Sequence, residues 1–150
     1  MRIRLESLQQ HPDVFCPSRD EFEFTEEDWR ARLRGTHGVT FGLFVDGKIS
    51  GISTVIRQGN QPAARRAELV GSYIRQDYRG QGLSRLFYEA RIAWAKSQGD
   101  IDTLIVEARE NNHASHGAHR RFGFLFVRKH RLEQLDGSTF DTLIYALELD

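Results

Sequence analysis

The chain is poor in residues that would commit it to a covalent or fibrous framework. A single cysteine, Cys16, among 150 residues excludes an intrachain disulfide and any zinc site built on several thiolates. Three prolines make no proline-rich linker, and the glycines follow no collagen-like period. No apolar run approaches the roughly 18 residues of a membrane span, and the opening MRIRLESL has no apolar signal-peptide core. A cytoplasmic protein without membrane attachment is expected. Net charge is also lacking, with 21 basic residues against 21 acidic. A nucleic-acid binder would normally carry a basic surplus over the whole domain, so no nucleic-acid partner is expected.

What is present suffices for one core. The hydrophobic share is 39% and the aromatic share 11%, over a length that fits a single domain, residues 1–150. The zero net charge conceals segregation. Residues 13–28 hold seven acids (Asp13, Asp20, Glu21, Glu23, Glu26, Glu27, Asp28) against Arg19. Residues 109–131 hold six bases against Glu110, and residues 65–91 six bases against three acids. Such a pattern suits a small anion at one place and a cation at another.

Periodicity predicts the order of elements. Arg2 to Glu6 alternates as a first strand would. Thr25 reads as an N-cap, with Glu26, Glu27 and Asp28 favouring the positive end of a helix over 25–34. Val39, Phe41, Leu43 and Val45 alternate up to the turn Asp46-Gly47, and a second strand follows through Gln58. A third strand, 67–74, leads into the turn Arg79-Gly80-Gln81-Gly82. Beyond it Leu83, Leu86, Phe87, Ala90 and Trp94 recur at helical spacing up to Gly99. A short buried strand over 103–108, a helix over 112–122 closed by Gly123, and a hairpin around Asp136-Gly137 complete the chain. Strands that both alternate with helices and pair as hairpins predict an α/β (α+β) fold: a mixed, mostly antiparallel sheet with flanking helices.

The segment 67–98 carries the chemistry. A glycine-bearing turn followed by the unpaired N–H groups and positive end of a helix forms an anion cradle suited to phosphate, with Arg79 adding charge beside it. A nucleoside-triphosphate P-loop would need a Lys-Ser or Lys-Thr pair that is absent. A dinucleotide fold would need a third glycine where Arg85 stands. The run Ala-Glu-Leu-Val-Gly-Ser-Tyr-Ile-Arg-Gln-Asp-Tyr-Arg-Gly-Gln-Gly-Leu-Ser, 67–84, resembles the acyl-coenzyme A motif of the GNAT superfamily of N-acetyltransferases. That motif reads Arg or Gln, two residues, Gly, one residue, Gly or Ala. Arg79 and Gly82 match, and Ser84 departs from the last position. Glu110-Asn111-Asn112 through Arg120-Arg121-Phe122-Gly123-Phe124 resembles a second segment of the same family, and the order of elements is similar over nearly the whole chain.

The resemblance implies the GNAT fold, with a V-shaped splay between the strands at 67–74 and 103–108, and acetyl-coenzyme A as co-substrate without a metal. Backbone groups of Ser72, Tyr73 and Ile74 would pair with the pantetheine arm, and N–H groups of Arg79, Gly80, Gln81, Gly82, Leu83 and Ser84 would hold the pyrophosphate. Asn112 would bond the arm. The reaction implied is direct acetyl transfer to a primary amine of a small molecule or protein. The competing class is a coenzyme A-binding sensor that has lost catalysis. Dimerisation through the last strands is common in such proteins and is an expectation of the resemblance alone.

Two residues are expected to move protons. Glu68 shares a face with Val70, where burial would raise its pKa towards that of a useful base; its alternative is an ion pair with Arg65 or Arg66. His119 occupies the position where many family members carry a Tyr that protonates the departing thiolate. With an ordinary pKa near 6.5, only about a quarter of it would be charged at pH 7, so a nearby anion would help. His113, His116 and His119 fall at i, i+3, i+6, but they spread over more than one helix face, so no metal site is expected. Cys16 beside Pro17 has no activating base in sequence and reads as a loop thiol.

Overall fold

A computed structural model describes residues 2–11, 23–34, 37–59 and 64–150. Cys16, Pro17, Asp13, Asp20 and Glu21 lie outside the described residues. Helices α1 (Arg2–Gln10) and α2 (Glu26–Arg34) precede the hairpin β1 (Gly38–Val45) and β2 (Lys48–Arg57). Strand β3 (Arg66–Ile74), a single 3-10 turn (Gln76–Tyr78) and α3 (Ser84–Gln98) follow, then β4 (Thr103–Arg109), α4 (His113–Arg121), β5 (Leu125–Glu133) and β6 (Thr139–Glu148). The strands form one sheet in the order β1-β2-β3-β4-β6-β5, in which only β3 and β4 run parallel.

The first element differs from the sequence expectation: residues 2–10 form a helix, not a strand. Five alternating residues fit either period, and Ile3, Ser7 and Leu8, the buried positions, are spaced for a helix. Tertiary contacts decide between them. Glu6 on α1 accepts from the Arg75 guanidinium through both of its oxygens and from the Tyr73 hydroxyl at 2.9 Å. These bonds pull its carboxyl below the usual range, with Arg75 the largest cause. The second helix begins as read. Thr25 Oγ1 accepts from the Asp28 N–H at 3.3 Å, and Asp28 returns the bond by accepting from the Thr25 N–H at 2.8 Å.

A bulge in β3 decides which side chains share a face. Ile52 pairs with Tyr73 but Thr54 with Val70, so β3 spends one residue more than β2 at Gly71, whose φ is +61°. Glu68, Val70 and Tyr73 therefore share the face of Ile52 and Ile56, whereas Ala67, Leu69 and Ser72 look the other way. On that second face α3 and α4 cover the main core of Val55, Ala67, Leu69, Leu104, Val106 and Tyr145, with Tyr88, Ala95 and Phe124 packed on it. On the first face α1 covers a smaller cluster of Ile3, Ile52 and Tyr73.

The inward stripe of α3 is turned from the expected one. Phe87, Tyr88, Arg91 and Ala95 are buried, while Leu86 is exposed. At the start of the β3–β4 pair, Arg65 forms a bidentate ion pair with Asp102, and Arg57 pairs with Asp100 at 2.9 Å. At the far end of the sheet β5 is an edge strand, bulged between Phe126 and Arg128, with Leu125, Phe126 and Val127 exposed.

Leu104 is fully buried at the centre of the sheet, where β4 has strands on both sides. Leu104→Ala is expected to cost about 2–5 kcal/mol, read as a fall in the urea midpoint at unchanged slope.

Candidate active site

Strands β3 and β4 pair from Arg66↔Thr103 to Leu69↔Val106 and no further, although β3 runs on to Ile74 and β4 to Arg109. The two strands part just before the Gly71 bulge, and a cleft of about 760 Å³ opens between them. Its walls carry Glu68, Ser72, Tyr73, Ile74, Arg79, Gly80, Gly82, Leu83, Ser84, Asn112 and His119. Of the site residues read from sequence only Gln81 is outside it, its amide donating to the Asp77 carbonyl at 3.2 Å.

The mouth of the cleft is the turn into α3. Gly80 and Gly82 have φ values of +74° and +73°, a region that favours glycine. No side chain caps the helix that follows. Among the described residues, the backbone N–H groups of residues 80–84 donate to no partner. Unbonded N–H groups at the start of a helix form an arrangement that can receive an anion. Arg79 does not point into it. Its Nε donates to the Ile74 carbonyl at 2.6 Å, and its Nη2 lies 2.9 Å from His11 Nε2. One of the backbone groups expected to receive a ligand arm is thus already engaged. The Tyr73 side chain is buried towards α1 rather than lining the arm's path, and Ser72 Oγ lies 2.6 Å from Ser53 Oγ. Asn112 caps α4, its Oδ1 accepting from the Ser115 N–H at 3.3 Å, so only its amide N–H groups remain for a ligand.

On the α1 face, Glu68 is half-buried and not paired with Arg65, which is held by Asp102. Burial pushes its carboxyl above the usual range; the Gln58 amide, 3.4 Å away, opposes this, and the negative charge of Glu107 adds to it. Glu107 was missed in the sequence. It stands on the same face of β4, accepts from the Thr142 hydroxyl and lies 3.0 Å from His130 Nδ1. The only sequence signal for it was its alternation with Ile105 on a strand expected to be buried.

The α3–α4 face is cationic. His119 is buried rather than on the surface, with Nδ1 2.6 Å from the Tyr88 hydroxyl. Desolvation first, then the nearby His116 and Arg91, lower its pKa to about 4, so the ring is neutral at pH 7. The helpful anion expected for an imidazolium is replaced by positive neighbours. Tyr88 is pushed up to about 12 by burial and keeps its proton. His116 is also buried, its Nε2 lying 2.9 Å from the Arg109 carbonyl and 3.1 Å from that of Glu110. Among the described residues no group of three His, Cys, Asp or Glu side chains is arranged around a metal position. No helix among them is long and apolar enough to cross a membrane.

A sheet split beside an uncapped helix, with a glycine turn at the mouth, defines an acyltransferase-type fold, and comparison with known proteins agrees. The family model of the acetyltransferase (GNAT) family matches residues 4–124, and the chain belongs to that family. It is 26% identical over 121 residues to the Bacillus subtilis (strain 168) protein named "Putative ribosomal N-acetyltransferase YdaF", covering 80% of this chain and 64% of that one. An L-methionine sulfoximine/L-methionine sulfone acetyltransferase of Pseudomonas aeruginosa is 34% identical over 79 residues, 52% of this chain and 45% of that protein. The chain thus spans less than two thirds of the length of either relative. A GNAT acetyltransferase from Streptococcus pneumoniae superposes with a TM-score of 0.79 at 20% identity, over 99% of this chain and 88% of that one. RimL, a ribosomal L7/L12 alpha-N-protein acetyltransferase solved with coenzyme A, gives 0.78 at 19% identity, over 99% and 86%.

Because His119 is buried neutral, acidification must charge it on unfolding. Its folded pKa lies below the unfolded value near 6.5, so its contribution is complete above that value and is lost as pH falls towards 4. The loss attributable to this ring is expected to reach about 3 kcal/mol, and His119→Asn should flatten the fall. In an NMR titration the His119 ring protons should not move between pH 5.5 and 8.

Proposed function

We propose that this chain is a single-domain N-acetyltransferase that passes an acetyl group from acetyl-coenzyme A directly to a primary amine. The observation that carries the reading is the continuity of one cleft, from the uncapped N-terminus of α3 to the raised carboxyl of Glu68. The N–H groups of Gly80, Gln81, Gly82, Leu83 and Ser84 would hold the pyrophosphate, with Arg79 fixing the turn through the Ile74 carbonyl. The unpaired edge of β3 would bond the pantetheine arm as an added strand, most directly at Ser72, and the Asn112 amide would donate to it. The coenzyme supplies the acetyl group as a thioester.

Glu68, with a pKa above the ordinary carboxylate range, takes a proton from the incoming ammonium, directly or through a water. Glu107 has two jobs in this reading: it adds the negative charge that draws a cationic acceptor, and it keeps Glu68 basic. An N–H of the splayed strand donates to the oxyanion that forms on the acetyl carbonyl. The named relatives act on a ribosomal substrate or on methionine sulfoximine and sulfone. For this chain the acceptor is a primary amine of either kind, protein or small molecule.

The test is release of free thiol from acetyl-coenzyme A in the presence of an amine panel that includes amino-acid derivatives and ribosomal-protein N-terminal peptides. Turnover with at least one amine is expected. Tight coenzyme binding without turnover on any amine would make the chain a sensor. Glu68→Gln should lower kcat about 100-fold or more, on the scale of lost general-base catalysis. In the wild type kcat/KM should rise with pH through a midpoint above the ordinary carboxylate range, and the variant should lose that limb. An unchanged profile would remove Glu68 from the mechanism.

A further inference from the structure

Arg91 is the least expected charge in the molecule. It is 2% exposed, projects from the inward face of α3 and lines the cleft. Its Nε donates to the Phe87 carbonyl at 3.0 Å and its Nη1 to Ser72 Oγ at 2.8 Å, while its guanidinium carbon lies 5.0 Å from the centre of the Tyr88 ring. Among the described residues no carboxylate pairs with it. A guanidinium removed from water without a counter-ion is costly, and nearly every buried charge in proteins is paired. Burial brings its pKa down to about 10, with only the Tyr88 hydroxyl working against it, so the charge survives at neutral pH.

The other groups that face it do not neutralise it. From β3 and β2 come the hydroxyls of Ser72 and Ser53. From α4 come neutral His119, His116 and the positive field of Arg121 at Tyr88. The acids Glu68 and Glu107 belong to the opposite face of the sheet. The missing anion must therefore come from the ligand, on the side of the cleft away from the ammonium site.

We infer that Arg91 is a catalytic residue that holds the sulfur of coenzyme A as the thiolate when the acetyl group leaves. The inference rests on the acetyl-transfer reading above. It places Arg91 beside Ser72, on the stretch of β3 that would bond the arm, a few residues short of Leu69 and Val106, where the splay closes. As the amine nitrogen bonds to the acyl carbon, the carbon–sulfur bond breaks and its electron pair stays on sulfur. Arg91 faces that charge, and no imidazolium is needed. Glu68 takes one proton from the ammonium and passes it to solvent, and the second proton, shed by the nitrogen as the amide forms, leaves by the same route; the thiolate takes one proton from solvent as the coenzyme departs, so that one proton is released per turnover. His119 is kept neutral first by its burial, and the same cation adds to that effect.

The experiment reads the bound coenzyme rather than turnover. Coenzyme A is titrated on the wild-type protein by its ultraviolet thiolate absorbance, with free coenzyme A in the same buffer as reference and desulfo-coenzyme A as a binding control. The bound thiol should ionise at least one pH unit below the free one, a tenfold gain in thiolate. Arg91→Met should abolish that shift while leaving desulfo-coenzyme A affinity within about twofold, and Arg91→Lys should restore part of it. An unshifted thiol in the wild type overturns the inference, and so does the same shift in Arg91→Met. If Arg91→Met does not fold, the wild-type titration and Arg91→Lys decide the matter. Failure of the wild type to bind either coenzyme overturns the cleft reading itself, a different result from binding with an unshifted thiol.

Discussion

Everything functional in this chain depends on two parallel strands that stop pairing. A β-strand carries an obligatory donor and acceptor at each residue, and leaving them unbonded away from water costs free energy comparable to a lost hydrogen bond. Strands β3 and β4 accept that cost beyond Leu69 and Val106. The Gly71 bulge steers β3 away, and the Arg65–Asp102 and Arg57–Asp100 pairs fasten the region where the strands remain together. The open stretch is a strand edge inside the molecule. In the proposed reading its groups are satisfied by the amides of the pantetheine arm.

The same opening joins two faces with different charged groups: Glu68 and Glu107 with Arg4 and Arg109 on the α1 side, and Arg91 and Arg121 on the other. On the α1 side two carboxylates stand close enough for one to raise the pKa of the other; on the α3–α4 side burial, with His116 and Arg91 adding to it, keeps an imidazole neutral. In the proposed reaction an ammonium gives up its proton on one side and a thiolate leaves on the other. The sheet between them limits direct cancellation of the two fields.

Much of this was legible in the sequence. The glycine turn, the helix after it, the Asp46-Gly47 hairpin and the Thr25 cap are local features, set by positive φ values and capping chemistry, so short segments reveal them. Glu68 could be placed because alternation put a carboxylate on a face where it would be desolvated. The first helix was read as a strand because five alternating residues underdetermine the period and its partners, Tyr73 and Arg75, are far along the chain. Glu107 and Arg91 were not legible. One acquires its meaning from Thr142 and His130 on other strands, and the other lies one step outside the hydrophobic stripe by which the buried face of α3 was judged. The bulge that sets the facing of Ser72 and Tyr73 is a matter of register, which periodicity alone does not show.

The edge strand β5 illustrates a different economy. It presents Leu125, Phe126 and Val127 to solvent at the outer end of the sheet, where an unpaired strand invites a second one to dock and propagate. The bulge after Phe126 breaks the straight run of donors and acceptors just there, and Arg128, Lys129 and Arg131 follow immediately. Lys129 and Arg131 are held there by Glu110 and Asp141. The kink therefore leaves this hydrophobic edge without the straight ladder that a further strand would extend.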